Sequence, residues 1–196
     1  MENAVFLGEN SDLLSESDKK LLWKENGRKP LLQTPVLNVT QTESTSSDGL
    51  TGNYIVMEAR DWVVVIPALD DDFIMVKQWR HGSSSLSVEF PGGVIESGEN
   101  PETGAERELL EETGYKAGKL VHLGTMSPNP ALFSNHVHFY AALELSDTGK
   151  QSLDSDEYLN AFKMPKSRVF SEMGSGLFQH ALMAAALGLY REKIGK

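Results

Sequence analysis

The chain has no cysteine among its 196 residues, and this absence excludes several classes of chemistry. Disulfide bonds, thiolate zinc sites, iron–sulfur clusters and a cysteine nucleophile all require a thiol. No apolar run in the sequence approaches the roughly 20 residues of a membrane-spanning helix, and the first ten residues lack the basic and apolar regions of a secretion signal. We therefore expect a cytoplasmic protein with no membrane partner.

Positive charge is also scarce, because 18 Lys and Arg stand against 28 Asp and Glu and the formal net charge is −10. An acidic surface repels nucleic acid and anionic membranes, so we expect no nucleic-acid partner. An anionic substrate would require a local reversal of the electric field, and a bound metal ion is the obvious means.

The sequence divides into an N-terminal appendage, residues 1–57, and a main domain, residues 58–196. The appendage has few large apolar residues and should not be stable alone. We expect it to be a small, partly β-rich element: a short polar helix over 10–26, an extended segment over 31–40, a loop over 41–53 and a strand over 54–58.

The main domain combines strands and helices through hairpin connections. Its strongest helix signal has Asn100 as the N-cap, Pro101 at the first helical position and Gly114 just past the end. A second helix is expected over 175–194, with an apolar stripe of Phe178, Leu182, Ala185 and Leu189. Strands are expected at 61–69, 73–79, 85–90, 118–126, 135–145 and 158–164. This pattern favours an α+β domain, an α/β/α sandwich.

Three glutamates share one face of the first of these helices. Glu108, Glu111 and Glu112 stand at i, i+3 and i+4, a spacing that places all three carboxylates on the same side. Two such residues would ordinarily be a solvated acidic surface. Three without an interleaved lysine favour a site for a hard cation, because oxygen ligands suit Mg²⁺, Mn²⁺ or Ca²⁺.

The residues around these glutamates form a longer motif. Gly93 is followed after five residues by Glu99, after seven more by Arg107-Glu108-Leu109, then by Glu111-Glu112 and by Gly114-Tyr115. By this signature the chain is identified as a member of the Nudix hydrolases, with Tyr115 where an aliphatic residue is commoner. The resemblance implies a Nudix fold, with a mixed β-sheet between helices, and hydrolysis of a nucleoside diphosphate linked to another moiety.

The resemblance also implies roles for the motif residues. Glu108, Glu111 and Glu112 would hold the metal together with the carbonyl of Gly92, with Mg²⁺ as the expected ion and Mn²⁺ as an alternative. Arg107 would pair with Glu99 and hold the loop against the helix. Glu111, Glu112 and Arg107 thus count among the expected catalytic residues, with a motif glutamate as one candidate for the general base.

Residues outside the motif narrow the resemblance to one branch. Lys77-Gln78-Trp79-Arg80 and the segment 88–93 (VEFPGG) resemble the enzymes that hydrolyse ADP-ribose and other nucleoside diphosphate sugars. Pro130, sixteen residues after Gly114, matches the proline that this branch carries in the loop after the motif. The stretch 127–141 resembles a less characterised set of sugar-nucleotide enzymes, so the sugar preference stays open.

Three more residues are candidates, Arg80 and Glu89 for substrate binding and Glu157 for catalysis. Arg80 is expected at a strand end, where a guanidinium binds phosphate oxygens bidentately; a surface ion pair is the alternative. Glu89 could contact the substrate or be an ordinary strand-edge residue. Glu157, beside Asp156, occupies the place of a mobile-loop carboxylate in this branch, so it could be a general base, an extra metal ligand or part of a plain acidic loop.

Other nucleophiles and ligands are less favoured. His136 and His138 alternate on a predicted strand and are interpreted as packed or exposed strand residues. The chain has no GxSxG nucleophile elbow, which disfavours serine catalysis.

We therefore expect Mg²⁺-dependent hydrolysis of the diphosphate of ADP-ribose or another nucleoside diphosphate sugar, giving a nucleoside monophosphate and a sugar phosphate. Alternatives are a Nudix enzyme for (d)NTPs or dinucleoside polyphosphates, RNA 5′-end processing, and a module that binds ADP-ribose without turnover. Low basic content disfavours RNA. The complete motif disfavours the non-catalytic module, since such modules usually lose motif glutamates.

The composition of the appendage also predicts that the chain associates with a second copy of itself. Its strand-like runs have no core of their own, and a second subunit can supply a sheet for them to join. Enzymes of the branch are usually dimers with an exchanged N-terminal part, and an aromatic residue from it often stacks on the base. We expect a homodimer with Tyr54, or else Trp23, as that residue; the alternative is a segment that packs on its own domain.

Overall fold

A computed structural model describes residues 15–153, 155 and 157–195. The chain forms two compact units. Unit 1 comprises Met1–Ala59 and Ala131–Ser134, and unit 2 comprises Arg60–Pro130 and Asn135–Lys196. Within the described ranges, no helix is both long and apolar enough to cross a membrane.

The described part contains nine strands, three α-helices and one 3₁₀ helix. The strands are β1 (Trp23–Gln33), β2 (Asn38–Ser46), β3 (Thr51–Glu58), β4 (Trp62–Leu69), β5 (Asp72–Arg80), β6 (Ser85–Glu89), β7 (Tyr115–Met126), β8 (Val137–Asp147) and β9 (Leu159–Pro165). The helices are α1 (Pro101–Thr113), α2 (Lys166–Glu172) and α3 (Ala181–Lys193), and the 3₁₀ helix is Glu16–Leu21.

Unit 1 is an antiparallel sheet in the order β1-β2-β3. The segment Ala131–Ser134 extends it, because the N–H of Met57 donates to the carbonyl of Leu132 at 2.7 Å. All eleven residues of β1 are exposed, and the side chains that β2 buries are the polar Thr40, Thr42 and Ser46. Unit 1 therefore has secondary structure without an apolar core of its own among its described residues.

Two expectations for this unit are wrong. The helix expected over 10–26 falls partly outside the described residues, and within them it is a 3₁₀ helix followed by β1 from Trp23. Gly27, which was expected to stop that helix, lies at a register shift of β1 instead. The loop expected over 41–53 is mostly β2 and β3, because threonine suits a strand when a partner strand lies beside it. Pro35 lies in the turn between β1 and β2.

Unit 2 contains a six-stranded sheet in the order β6-β5-β4-β8-β7, with β9 paired to β5. The pair β4–β8 is parallel, whereas β5–β6, β5–β9 and β7–β8 are antiparallel. Strands β4 and β5 pair only at their hairpin, Ala68 with Phe73 and Leu69 with Asp72. The predicted mixed sheet is confirmed, but the expectation of hairpin connections alone is wrong for β4 and β8.

Helices α1 and α3 pack on opposite faces of β4 and β8. Successive residues of a strand point to opposite faces, so the continuous apolar run of β4 contributes to two cores. The core on the α1 side contains Val63, Val65, Tyr140, Ala142, Ala105 and Leu109. The core on the α3 side contains Val64, Ile66, Phe139, Met183 and Leu187. The predicted α+β class, with a sheet between helices, is confirmed.

The C-terminal helices differ from the prediction in their bounds. The sequence predicted one helix over 175–194, whereas α3 begins at Ala181 and α2 was not predicted. Phe178 is buried but precedes α3. The fully buried stripe of α3 is Met183, Ala186, Leu187 and Tyr190. The expected Leu182, Ala185 and Leu189 flank this stripe and are partly buried.

Candidate active site

Helix α1 begins and ends where its capping residues predicted. The side-chain oxygen of Asn100 accepts a hydrogen bond from the N–H of Thr103 at 2.9 Å, and Pro101 is the first helical residue. Gly114 closes the helix with a left-handed φ of 74°. In this helix the side chains of Glu108 and Glu112 face the interior of unit 2, and the two residues are only 7% and 3% exposed.

The loop that precedes α1 is held against β4 by backbone hydrogen bonds. The N–H of Val65 donates to the carbonyl of Pro91, and the N–H of Val63 donates to the carbonyl of Gly93, both at 2.9 Å. From the same loop, the N–H of Gly92 donates to Oε2 of Glu112 at 2.9 Å. The loop therefore fixes a backbone segment directly beside a buried motif carboxylate.

Neither of the two loop glycines leaves room for a side chain. A Cβ at Gly93 would overlap the carboxylate of Glu108, and a Cβ at Gly92 would overlap the carbonyl of Val63. The absence of side chains here lets the loop backbone approach the glutamates closely.

Arg107 joins the loop to the acidic face of α1. Its Nε and Nη2 donate to the two carboxylate oxygens of Glu99, both at 3.0 Å. Its Nη1 donates to Glu108 at 2.9 Å and to Glu111 at 3.0 Å, and Nη2 also donates to the carbonyl of Val94. One guanidinium thus orients three carboxylates, and its hydrogen bonds hold the pKa of Glu99 below the usual range.

Both buried motif glutamates have raised pKa values. Burial raises the pKa of Glu108 to about 7, and the charges of Glu111 and Glu157 act in the same direction against the opposing effect of Arg107. Burial likewise raises the pKa of Glu112 to about 8, reinforced by Glu108 and Glu157 and opposed by the N–H of Gly92. Added positive charge at this face would stabilise both ionised carboxylates.

Arg80 and Glu89 form a bidentate ion pair across neighbouring strands. The Nε of Arg80 donates to Oε1 of Glu89 at 2.9 Å, and Nη2 donates to Oε2 at 2.5 Å. The side chain of Glu89 is 1% exposed, whereas that of Arg80 is 42% exposed. Burial acts to raise the pKa of Glu89, but the hydrogen bonds and charge of Arg80 leave it lowered. The charge of Arg80 also acts on Glu112 and opposes the rise of its pKa.

Glu157 approaches the same face from a different part of unit 2. It stands two residues before β9 and is half-buried, and its charge acts on both Glu108 and Glu112. Its predicted neighbour Asp156 lies outside the described residues. The fold therefore gathers Arg80, Glu157 and the motif glutamates, which are far apart in sequence.

Two more predicted residues belong to other elements. Pro130 is exposed in the loop after β7. Tyr54 belongs to unit 1, is 46% exposed and packs edge-to-face on Trp23 with ring centroids 5.4 Å apart.

The two histidines of residues 136 and 138 are tied to one aspartate. His138 pairs through Nε2 with Asp61 at 3.1 Å and through Nδ1 with Thr125 at 3.0 Å, and the backbone N–H of His136 donates to Asp61 at 2.8 Å. These contacts join the starts of β4 and β8. His138 lies in β8, as interpreted, whereas His136 immediately precedes that strand, so its interpretation as a strand residue is wrong.

The carboxylates suit a hard cation, although they are engaged with protein groups in this arrangement. Among the described residues, no three His, Asp or Glu side chains form a ready-made metal site. Glu108 and Glu111 accept from one nitrogen of Arg107, and Glu112 accepts from Gly92. The donor set nonetheless consists of carboxylate oxygens, the ligands that hard cations prefer, and burial raises the pKa of its two buried members, so a bound cation would favour their ionised forms.

Sequence reasoning missed one residue near this site, His180. It precedes α3, and its Nδ1 accepts a hydrogen bond from the N–H of Leu182 at 3.2 Å. The charges of Glu89 and Arg80 both act on its imidazole. A histidine outside any motif carries no signal of such proximity.

Residues 59–174 match the NUDIX domain, and the chain belongs to the Nudix hydrolase family. Members of this family use divalent metal ions, in agreement with the donor set described above. The chain is 40% identical over 104 residues to ADP-ribose pyrophosphatase of Bacillus subtilis, covering 52% of this chain and 56% of that protein. The match therefore spans little more than half the length of that relative.

Two further similarities extend over more of the chain. The ADP compounds hydrolase NudE of Escherichia coli is 30% identical over 133 residues, which are 68% of this chain and 71% of that protein. The crystal structure of an ADP compounds hydrolase superposes with a TM-score of 0.79 at 26% sequence identity, over 88% of this chain and 94% of that one.

Proposed function

We propose that this chain hydrolyses the diphosphate bond of ADP-ribose or of another nucleoside diphosphate sugar, giving a nucleoside monophosphate and a sugar phosphate. The observation that carries the proposal is the buried pair Glu108 and Glu112 beside the glycine loop, with Arg80 close to the same face. The names of the Bacillus subtilis and Escherichia coli relatives, ADP-ribose pyrophosphatase and ADP compounds hydrolase NudE, support this substrate class.

The proposed metal ion is Mg²⁺, with Mn²⁺ as an alternative. Glu108, Glu111 and Glu112 would hold it together with the carbonyl of Gly92. A divalent cation bound there supplies positive charge to the diphosphate oxygens and Lewis acidity for the hydrolysis. Arg107 keeps Glu108 and Glu111 aligned through its Nη1, and its bond to Val94 keeps the loop in place.

Glu157 is the proposed general base. It is half-buried, and its charge acts on Glu108 and Glu112. Its carboxylate would accept the proton of a water molecule that attacks the diphosphate at this face. Glu111 or Glu112 is the alternative base. The proton leaves the attacking water for this carboxylate as the bond from the water oxygen to phosphorus forms, while the bond from that phosphorus to the bridging oxygen breaks and the other phosphate leaves.

Arg80 is the proposed diphosphate ligand. A guanidinium has five N–H groups, and Glu89 takes one on Nε and one on Nη2, which leaves others for phosphate oxygens. Because Glu89 is 1% exposed, its proposed role is to hold Arg80 rather than to touch the substrate. Pro130 is proposed to border the substrate from the loop after β7.

We further propose a homodimer built through residues 1–57. Strand β1 is an exposed edge strand, and unit 1 exposes Leu32 by 57% and Val36 by 77%. A second copy of the chain could cover both the edge and this apolar surface. Tyr54 is the proposed stacking residue for a base, with Trp23 second. The cytoplasmic location stays a prediction.

A substrate panel tests the proposed activity. ADP-ribose, ADP-glucose, UDP-glucose, GDP-mannose, NADH, dinucleoside polyphosphates and dNTPs are each incubated with Mg²⁺, and monophosphate release is measured. We expect release of AMP or another nucleoside monophosphate from the sugar nucleotides, and none by Glu112→Gln. Preferred cleavage of dNTPs, or binding of ADP-ribose without release of AMP, would contradict the proposal.

A further inference from the structure

The C-terminal turn of α1 lacks the groups that usually stabilise the end of a helix. The carbonyls of a last turn have no partners within the helix, and the helix dipole favours positive charge at this end. In α1 this turn carries Glu111 and Glu112 and contains no basic residue. Two motif glutamates therefore stand on a turn that requires hydrogen-bond donors from outside the helix.

Residues 148–152, which we call the capping segment, follow β8 and supply such donors. The N–H of Ser152 donates to the carbonyl of Glu111 at 3.0 Å. The side-chain amide of Gln151 donates through Nε2 to the carbonyl of Glu112. The main-chain carbonyl of each of the last two motif glutamates thus accepts a hydrogen bond from the capping segment.

The start of the capping segment is bonded to the residue that closes the helix. The N–H and the hydroxyl of Thr148 donate to the carbonyl of Gly114 at 2.9 and 2.6 Å. A Cβ at Gly114 would lie 2.9 Å from the carbonyl oxygen of Lys150, so the two backbones are in close contact. These contacts place the segment independently of the side chain of Gln151, and replacing that side chain therefore tests one bond.

Glu112 is held at both its side chain and its backbone. Its carboxylate accepts the N–H of Gly92 at 2.9 Å, and its carbonyl accepts the amide of Gln151. Glu111 is held in the same way, because its carboxylate accepts Nη1 of Arg107 at 3.0 Å and its carbonyl is bonded to the capping segment. The carboxylates are thus oriented by the loop and by Arg107, whereas the backbone that carries them is fixed from the capping segment.

We propose that Gln151 is a positioning residue, which holds the last turn of α1 so that Glu112 keeps the place from which it would hold a metal ion together with Glu108. This inference rests on the proposed function, because it assigns the metal ion to these glutamates. Metal ligation requires ligand distances correct to about 0.2 Å, so a small displacement of this turn weakens it. Gln151 lies outside the Nudix signature and adds a determinant of metal affinity to it.

The variant Gln151→Met tests this proposal in the full-length protein. Methionine is of similar length and uncharged but donates no hydrogen bond, and the exposed position of residue 151 should tolerate it. Two controls accompany it. Ser152→Ala alters the neighbouring side chain and keeps the N–H that bonds to Glu111. Ser175→Ala removes a bond of the same kind at the end of α2, from its hydroxyl to the carbonyl of Glu172 at 2.7 Å.

Binding of Mn²⁺ in the absence of substrate, followed by EPR titration, is the first measurement. We expect Gln151→Met to raise the Kd for Mn²⁺ about tenfold, the effect of losing a group that orients a metal ligand. Its Tm should fall by about 2–4 °C through loss of one hydrogen bond. Both controls should bind Mn²⁺ as wild type does, although Ser175→Ala should also lower Tm. Wild-type affinity in Gln151→Met, equal weakening in either control, or a wild-type protein that binds no Mn²⁺ would overturn the proposal.

Hydrogen exchange of the metal-free protein gives a second readout. The N–H of Gly114 donates to the carbonyl of Leu110 at 2.8 Å and reports on the closing of the last turn. We expect this amide to exchange at least about threefold faster in Gln151→Met than in wild type or either control, because the turn opens more often. An unchanged exchange rate in Gln151→Met would contradict the positioning role.

Neither readout depends on turnover, so this proposal and the proposed function can fail separately. If Gln151→Met behaves as expected and the wild-type protein releases no nucleoside monophosphate from the substrate panel, the positioning role stands and the proposed function fails. If the wild-type protein releases the monophosphate and Gln151→Met binds Mn²⁺ with wild-type affinity, the proposed function stands and the positioning role fails.

Discussion

Gly93 lies directly against the carboxylate of Glu108, so closely that a methyl group on Gly93 would overlap both carboxylate oxygens. The same carboxylate accepts a hydrogen bond from Arg107. The glycine of the loop and the first glutamate of the helix face thus form one packed unit. This relationship explains why the motif needs a glycine at this position, and it gives the first prediction.

Gly93→Ala should impair catalysis more than stability. The methyl group meets the far end of a flexible side chain, which can rotate aside at modest cost, but Glu108 then leaves the position from which it would hold a metal ion. We expect kcat to fall at least ~10-fold, which is ~1.4 kcal/mol of barrier, and more Mg²⁺ to be needed for half-maximal activity.

The control for this prediction is Gly188→Ala in α3, where a Cβ would meet nothing within 4 Å. It should keep wild-type kcat and Mg²⁺ dependence. Unchanged kinetics in Gly93→Ala would show that the position of Glu108 is not critical.

Glu112→Gln should nearly abolish turnover while the protein still folds. The amide keeps an oxygen that can accept the N–H of Gly92, but it loses the charge that would hold a cation. We expect kcat below about a tenth of the wild-type value. Glu106→Gln, an exposed position of the same helix, is the control and should be neutral. A variant that retains most of its kcat would argue against metal ligation by Glu112.

The free energy of unfolding of the metal-free protein should fall as pH rises through the range in which Glu112 titrates. Its pKa is about 8 in the folded state against an ordinary 4.5, so the folded protein binds more protons between these values. Stability therefore decreases from about pH 4.5 to about pH 8. Glu108, with a pKa of about 7, acts in the same direction.

Thermal unfolding in EDTA across this pH range checks the sign. Glu112→Gln should show a smaller decrease than wild type, because the group that titrates is gone. Mg²⁺ should raise Tm more at high pH, since cations bind the ionised carboxylates. Identical pH dependence of wild type and variant would refute the raised pKa.

Arg80→Ala should lower stability as well as substrate affinity, because it leaves the buried carboxylate of Glu89 without its bidentate partner. The cost of such an unpaired group is about 2 kcal/mol. Adding Glu89→Gln removes the buried charge, so the double variant should recover Tm but keep the raised KM. Recovery of KM together with Tm would mean that Arg80 acts only on the fold.

The predicted dimer can be tested on the apolar surface of unit 1. Leu32→Asp and Val36→Asp place charges at exposed positions, so they should not unfold the chain but should oppose burial against a second copy. We expect sedimentation to show a dimer for wild type and a monomer for the double variant. Tyr54→Ala should stay dimeric and lose nucleotide affinity, by about 1 kcal/mol or more for one stacked base. A monomeric, active wild-type protein would contradict the proposal.

Local signals were sufficient to predict α1 and its acidic face. Asn100, Pro101 and Gly114 act on the backbone within one helical turn, and the i, i+3, i+4 spacing of the glutamates needs only a regular helix. The apolar run of β4 likewise predicted a buried strand. Its apolar residues follow one another without alternation, so both faces of the strand carry apolar side chains that must be buried.

Other features depended on which segments meet in space. The polar strands β1 and β2 and the start of α3 at Ala181 have weak local signals, and pairing or packing with distant segments sets them. The bidentate contact of Arg80 with Glu89 and the effect of the charge of Glu157 on Glu112 join residues from different elements. A spacing rule reaches only a few residues along one element, whereas burial and charge at a site arise from everything that packs around it.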